Sequence, residues 1–110
     1  MYQVIVDETV LQEMVRRLVE AIDPDRIILF GSRARGDARP DSDVDLLVIK
    51  DSNEAPHKRS IPAYRALGDI PAPTDILWRT PEEVQEWSGA SNYVATRAIR
   101  EGRVLYEKQS

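Results

Sequence analysis

Residues 30–48 read FGSRARGDARPDSDVDLLV, a Gly-Ser step, a run rich in arginine and aspartates at 37, 41, 43 and 45, followed directly by an apolar segment. The segment Val44–Ile49 has the composition of a buried strand and is stopped by Lys50-Asp51-Ser52-Asn53. Side chains alternate faces along a strand, so Asp43 and Asp45 are expected on one side and Val44 on the other. Two carboxylates at that spacing repel unless a cation lies between them. Hard oxygen donors of this kind suit magnesium or manganese.

Working outward from this stretch, Ile27–Phe30 reads as a preceding strand stopped by Gly31, and Thr74–Arg79 as a third, entered through Pro71 and Pro73. Asp75 falls at the beginning of that third strand, an element in which aspartate is disfavoured. If the second and third strands are neighbours, Asp75 meets the Asp43/Asp45 pair and completes a three-carboxylate, two-metal site. Such a site suits an in-line phosphoryl displacement on a triphosphate. Gly31 turns the chain out of the first strand, and Ser32 offers a hydroxyl and an amide at the start of a short helical turn ending at Gly36. Arg33, Arg35 and Arg39 lie close by in sequence to reach a phosphate oxygen.

Helices are expected around these strands. Leu11, Met14, Val15, Leu18, Val19 and Ile22 follow the amphipathic spacing over residues 9–22, with Thr9 and Gln12 as a capping box and Asp23-Pro24 as the end. Residues 54–67 read as a helix that Pro62 kinks or delays. Thr80-Pro81-Glu82-Glu83 is a helix start running to about Trp87, a further helix spans about 91–101 and is closed by Gly102, and VLYE forms a short tail. The class is α+β, expected as one domain over residues 1–110, since a chain of this length has room for a single core.

Composition removes other chemistries. There is no cysteine and one histidine, His57, so thiolate catalysis and zinc–thiolate or multi-histidine cages are excluded. A formal charge of −4 argues against a broad phosphate-backbone surface, and no direct nucleic-acid contact is expected. No apolar run reaches the roughly 20 residues needed to span a bilayer, and the start lacks the basic segment of a signal peptide, which predicts a cytoplasmic protein without a membrane partner.

Two other motif readings fail. Asp41, Asp43 and Asp45 fit the first, third and fifth places of a calcium loop, but Leu46 stands where glycine is required and Ser52 where glutamate is. Gly31 to Gly36 has the spacing of a Walker loop, but Asp37-Ala38 replaces its Lys-Ser/Thr. Asp41 reads as a turn or cap residue. An isolated Asp-x-Asp would be read as a turn too; the Gly-Ser step ten residues ahead of Asp43 and the strand-borne Asp75 favour a metal site here. His57, Lys58, Arg59 and Arg65 read as surface positions, and Tyr64, Trp78, Trp87 and Tyr93 as core or interface.

Gly31-Ser32, ten residues, then Asp43-Val44-Asp45 resembles the signature of the DNA polymerase β-like nucleotidyltransferase superfamily, and especially its minimal nucleotidyltransferases, the MNT proteins. The leading helix, Asp75 followed by TPEEV, and the closing IREGRVLYE are similar to that family as well. The resemblance implies a small mixed sheet with helices packed on it and magnesium-dependent transfer of AMP from ATP, with release of pyrophosphate. Two magnesium ions are implied, with manganese as a substitute.

By position, Gly31 and Ser32 would hold the triphosphate with Arg33 or Arg35, Asp43 and Asp45 would bind the metals, and Asp75 would bind the catalytic metal and help activate the acceptor hydroxyl. In such proteins the partner is typically a HEPN-domain toxin, and the implied activity is an antitoxin that adenylylates a hydroxyl, expected to be a tyrosine, on that toxin. A small-molecule transferase of the aminoglycoside type, or an antitoxin that acts by binding alone, are the competing expectations. Apolar surface on the last two helices would serve a homodimer or a hetero-oligomer.

Overall fold

The computed structural model describes residues 6–36, 38–39, 42–87 and 98–109. Helix α1 (Glu8–Ile22) leads into β1 (Arg26–Phe30), the one-turn α2 (Ser32–Arg35) and β2 (Val44–Ile49). Two short helices, α3 (Pro56–Arg59) and α4 (Ile61–Ala66), connect to β3 (Thr74–Arg79), followed by α5 (Pro81–Trp87) and β4 (Arg103–Glu107). Among the described residues the strands form one four-stranded sheet in the order β3-β2-β1-β4. β2 and β3 run parallel, while β1 is antiparallel to both β2 and β4. The sheet is therefore mixed, as expected for the α+β class.

Alternation along the strands builds a core on each face of the sheet. Leu11, Met14 and Leu18 of α1, with Ala63 and Leu67, pack against Ile27, Leu29, Val44, Leu46, Val48, Ile76 and Trp78. The intervening residues Ile28, Leu47 and Ile49 pack with Ala98 on the other face, joined by Phe30, Leu77, Val84 and Ile99. Asp45 and Asp75 have the same parity as Leu47 and Leu77 and so belong to this second face. The strand interiors are almost dry, which holds the ends that carry the carboxylates on a rigid support.

Several local features differ from the expectations. Helix α1 starts earlier than the Thr9 capping box predicts: Asp7 is the N-cap, its Oδ1 accepting the Val10 N–H at 3.0 Å. Aspartate ranks above threonine at this position, so the chain uses the better cap two residues upstream. The helix ends with Asp23 in the left-handed region (φ 45°), its N–H donating to the Val19 carbonyl, and Asp23 pairs with Lys108 at 2.8 Å. The expected helix at 54–67 is two pieces broken at Ser60, with Pro56 and Pro62 each in a first turn, where the missing N–H costs nothing.

The capping box at Thr80 is present: the Glu83 N–H donates to Thr80 Oγ1 at 3.1 Å and the Thr80 N–H to Glu83 Oε1 at 2.8 Å. The closing tail is a strand rather than a tail, paired with β1 across a bulge between Ile27 and Ile28. Of the helix expected at 91–101, residues 98–101 are helical and the remainder lies outside the described residues. Gly102 lets that helix end press on β1; a Cβ there would collide with the Ala98 carbonyl and stand 2.8 Å from the Leu29 carbonyl. Arg59, expected on a solvated face, is buried: its Nε donates to the Glu54 carbonyl at 3.1 Å and its guanidinium pairs with Glu83 at 2.5 Å. Glu83 gives that charge a partner, which makes its burial tolerable. No helix among the described residues is long and apolar enough to cross a membrane.

Candidate active site

The end of β1, the start of β2 and the start of β3 meet at one edge of the molecule. Parallel pairing of β2 with β3 sets Asp45 directly beside Asp75, and antiparallel pairing of β2 with β1 sets Phe30 on its other side. The Val44 N–H donates to the Pro73 carbonyl at 2.8 Å, fixing this register at its first rung. Asp43 immediately precedes β2 and is exposed, as is Asp75; Asp45 is half-buried. Of the three carboxylates nominated from sequence, Asp45 thus has Asp75 beside it in the register and Asp43 two residues ahead on the chain.

Electrostatics reflect that crowding. Burial pushes the Asp45 carboxyl up from the ordinary carboxylate value, and the negative charges of Asp75 and Asp43 add to the push, while Arg33 and Arg35 oppose it. Among the described residues no three acidic or imidazole side chains are already gathered into a metal-binding group. The carboxylates are neighbours rather than a closed cage, and Asp45 is the one whose charged form burial, Asp75 and Asp43 disfavour.

The Gly-Ser step is pressed against the same carboxylate. Gly31 has φ 76° and ψ −157°, a conformation that only glycine adopts without strain. A Cβ at Gly31 would overlap Asp45 Oδ2 and lie 3.2 Å from its Cγ. Glycine is required here on two counts, backbone conformation and close approach. Ser32 then opens α2, in which the Ala34 and Arg35 amides donate back to the Gly31 carbonyl at 3.1 and 3.2 Å, and Gly36 closes the turn in the left-handed region.

The arginines have distinct placements. The Arg33 guanidinium donates to the Ser42 carbonyl, Nη2 at 2.6 Å and Nε at 3.2 Å, tying α2 to the chain that delivers Asp43. Ser42 is fixed from the other side too, its N–H donating to the Arg39 carbonyl at 3.0 Å and its Oγ accepting the Arg39 N–H at 2.8 Å. Arg35 is exposed on the last residue of α2. Asp41 lies outside the described residues.

One residue at the site was assigned elsewhere from sequence. Tyr64, expected in a core or interface, is exposed on α4 and its hydroxyl reaches β3, accepting the Ile76 N–H at 2.8 Å and donating to Asp75 Oδ1 at 3.4 Å. No short motif links a helical tyrosine to a strand carboxylate eleven residues later, so pattern reading has no signal for it. Trp78 is buried as expected, its indole N–H donating to the Lys50 carbonyl at 2.8 Å.

Comparison with known proteins bears on the fold. Among solved structures, a candidate nucleotidyltransferase from Sulfolobus solfataricus superposes with a TM-score of 0.65 at 18% identity, covering 91% of this chain and 79% of that one. A toxin–antitoxin complex with AMP-PNP matches with a TM-score of 0.65 at 20% identity, over 89% of this chain and 73% of that one. A mutant of the toxin–antitoxin MntA-HpeT, carrying two Asp-to-Glu changes, matches with a TM-score of 0.62 at 17% identity over the same shares. No curated protein matches the sequence. The family described as polymerase beta, nucleotidyltransferase matches residues 12–110. That span takes in every strand of the sheet and all three aspartates, and the chain belongs to the polymerase β-type nucleotidyltransferase family, with its α+β fold.

Proposed function

We propose that this nucleotidyltransferase moves AMP from ATP to a hydroxyl on a partner toxin, expected to be a HEPN-domain protein with a tyrosine acceptor, and so acts as an antitoxin. The observation that carries the catalytic part is the register pairing of Asp45 with Asp75, with Asp43 two residues ahead and the Gly31 backbone pressed against Asp45. The partner rests on the MNT-type signature and on the likeness of the fold to chains of two toxin–antitoxin structures, one of them with AMP-PNP.

Hard carboxylate oxygens, one of them destabilised in its charged form by its neighbours, are a donor set that fits magnesium or manganese. Asp43, Asp45 and Asp75 would hold two such ions, which when bound supply charge neutralisation of the triphosphate and of the attacking and leaving oxygens. The Ser32 hydroxyl and the backbone following Gly31 would meet the triphosphate, and exposed Arg35 would face a phosphate oxygen. Arg33, which bonds the Ser42 carbonyl and so holds the Asp43 segment, would face the phosphates as well. Asp75 would accept the acceptor proton at a carboxylate oxygen as the new O–Pα bond forms and the bond to pyrophosphate breaks.

Mass spectrometry of the partner after incubation with this protein, ATP and magnesium tests the proposal. A gain of about 329 Da per acceptor, the mass of an AMP unit, is expected, consistent with loss of pyrophosphate from ATP. Toxin that is neutralised with no gain in mass would contradict the catalytic reading and favour neutralisation by binding.

A further inference from the structure

We infer that Tyr64 is a positioning residue for the reaction, orienting the Asp75 carboxylate through its hydroxyl; this rests on the role proposed above for Asp75. β3 is the end strand of the sheet among the described residues, so its amides facing away from β2 have no strand partner. The Tyr64 hydroxyl takes one of these, the Ile76 N–H, at 2.8 Å. With a lone pair taken by that amide, its single proton is left to point to Asp75 Oδ1, a long contact at 3.4 Å. A hydroxyl that accepts a hydrogen bond is also a better donor.

Ala63 and Leu67 are the fully buried residues of this segment, whereas Tyr64 is 41% exposed, packed along part of its ring with its hydroxyl on β3 beside Asp75. Asp75 is itself exposed, and an exposed aspartate samples several rotamers unless something selects one. Tyr64 supplies a selection from a fixed point, the backbone of the next residue on the same strand. The arrangement resembles the outer-shell hydrogen bonds that orient ligating carboxylates, in which loss of the outer partner weakens metal binding about tenfold or more.

Tyr64→Phe keeps the ring and removes only the hydroxyl. The test compares wild type, Tyr64→Phe, Asp75→Asn and the double variant, each as the full chain with thermal unfolding as a folding check, for Mn2+ binding in the presence of AMP-PNP by electron paramagnetic resonance. Tyr64→Phe is expected to weaken Mn2+ binding about tenfold, and the double variant to bind no more weakly than Asp75→Asn alone, because the hydroxyl acts through that carboxylate. In the transfer reaction, Tyr64→Phe lowers kcat and leaves the KM for ATP within about twofold, the pattern of lost positioning rather than lost binding.

Wild-type Mn2+ affinity in Tyr64→Phe, or losses that multiply in the double variant, would overturn the inference. Wild-type affinity in Asp75→Asn would instead overturn the metal-binding role of Asp75, and the inference with it.

Discussion

Asp45 and Asp75 are cross-strand partners in parallel register, so two carboxylates stand side by side at the entry of adjacent strands with the backbone of Gly31 against one of them. Like charges placed in this way destabilise a sheet. Their cost to the sheet is what the proposed metal-binding role accounts for.

Replacing either carboxylate by its amide is therefore expected to separate stability from activity. Asp45→Asn removes a charge whose ionised form is disfavoured by burial and by Asp75 and Asp43, and its thermal midpoint should equal or exceed that of the wild type. Transfer should fall by about two orders of magnitude or more, the scale of losing a main electrostatic contributor to a site. Thermal unfolding and a labelled-nucleotide assay on the same preparation check both halves.

Gly31→Ala should damage the site and the fold together. The new methyl would meet Asp45 Oδ2 and force an alanine into φ 76°, a conformation costing on the order of 1–3 kcal/mol. Urea unfolding should show a loss of that size, and transfer should drop even where the variant is fully folded, since the Asp45 carboxylate must move aside.

Gly102→Ala tests the support rather than the site. Its Cβ would collide with the Ala98 carbonyl and press on Ile28 of β1. Overpacking of this kind costs about 1–3 kcal/mol, read as a lower urea midpoint. No specific change in nucleotide affinity is expected at temperatures where the variant is folded.

Acid should loosen the α3–α5 connection. Burial, the largest influence on Glu83, raises its carboxyl, but the Thr80 amide and Arg59 outweigh it and leave it below the ordinary glutamate value of 4.5. A carboxylate depressed by folding contributes stability that is fully present above the unfolded value and is lost as pH falls through the folded one. Stability should thus decline below about pH 4.5, and Glu83→Gln should flatten that part of the curve while lowering the plateau at pH 7 by about 1–3 kcal/mol, the cost of leaving a buried partner incompletely satisfied. Glu13, lowered to about 2 by hydrogen bonds from Arg16 and Arg17, extends the same decline to lower pH. Urea midpoints measured between pH 7 and pH 3 check the slope.

Most of this architecture is legible in the sequence where one local cause dominates. Ile27–Phe30 and Val44–Ile49 are largely apolar runs and Thr74–Arg79 has an apolar centre, all bounded by Gly, Asp or Pro, and they are strands within a residue of their expected limits. Thr80, Pro81 and Glu83 name a helix start because each satisfies a different need of the same turn. Legibility fails where distant parts decide. Arg59 looks solvated until Glu83, on another helix, is brought to it. The closing segment becomes a strand because β1 presents a free edge.

Strand periodicity and the Gly-Ser spacing both nominate the carboxylates, and the one structural condition they set, that the second and third strands be neighbours, is met by the register of Asp45 with Asp75. No pattern points to Tyr64, since its contact with Asp75 and the Ile76 N–H depends on which edge of β3 is left open.

The most direct measurement is incubation with magnesium and ATP carrying label at either the α- or the γ-phosphate, together with the proposed partner, for wild type and for Asp43→Asn/Asp45→Asn. Transfer of α-label to the partner by the wild type alone, with γ-label leaving in pyrophosphate, is the expected result. Transfer of γ-label, or α-label transferred equally by the double variant, would contradict nucleotidyl transfer at these carboxylates.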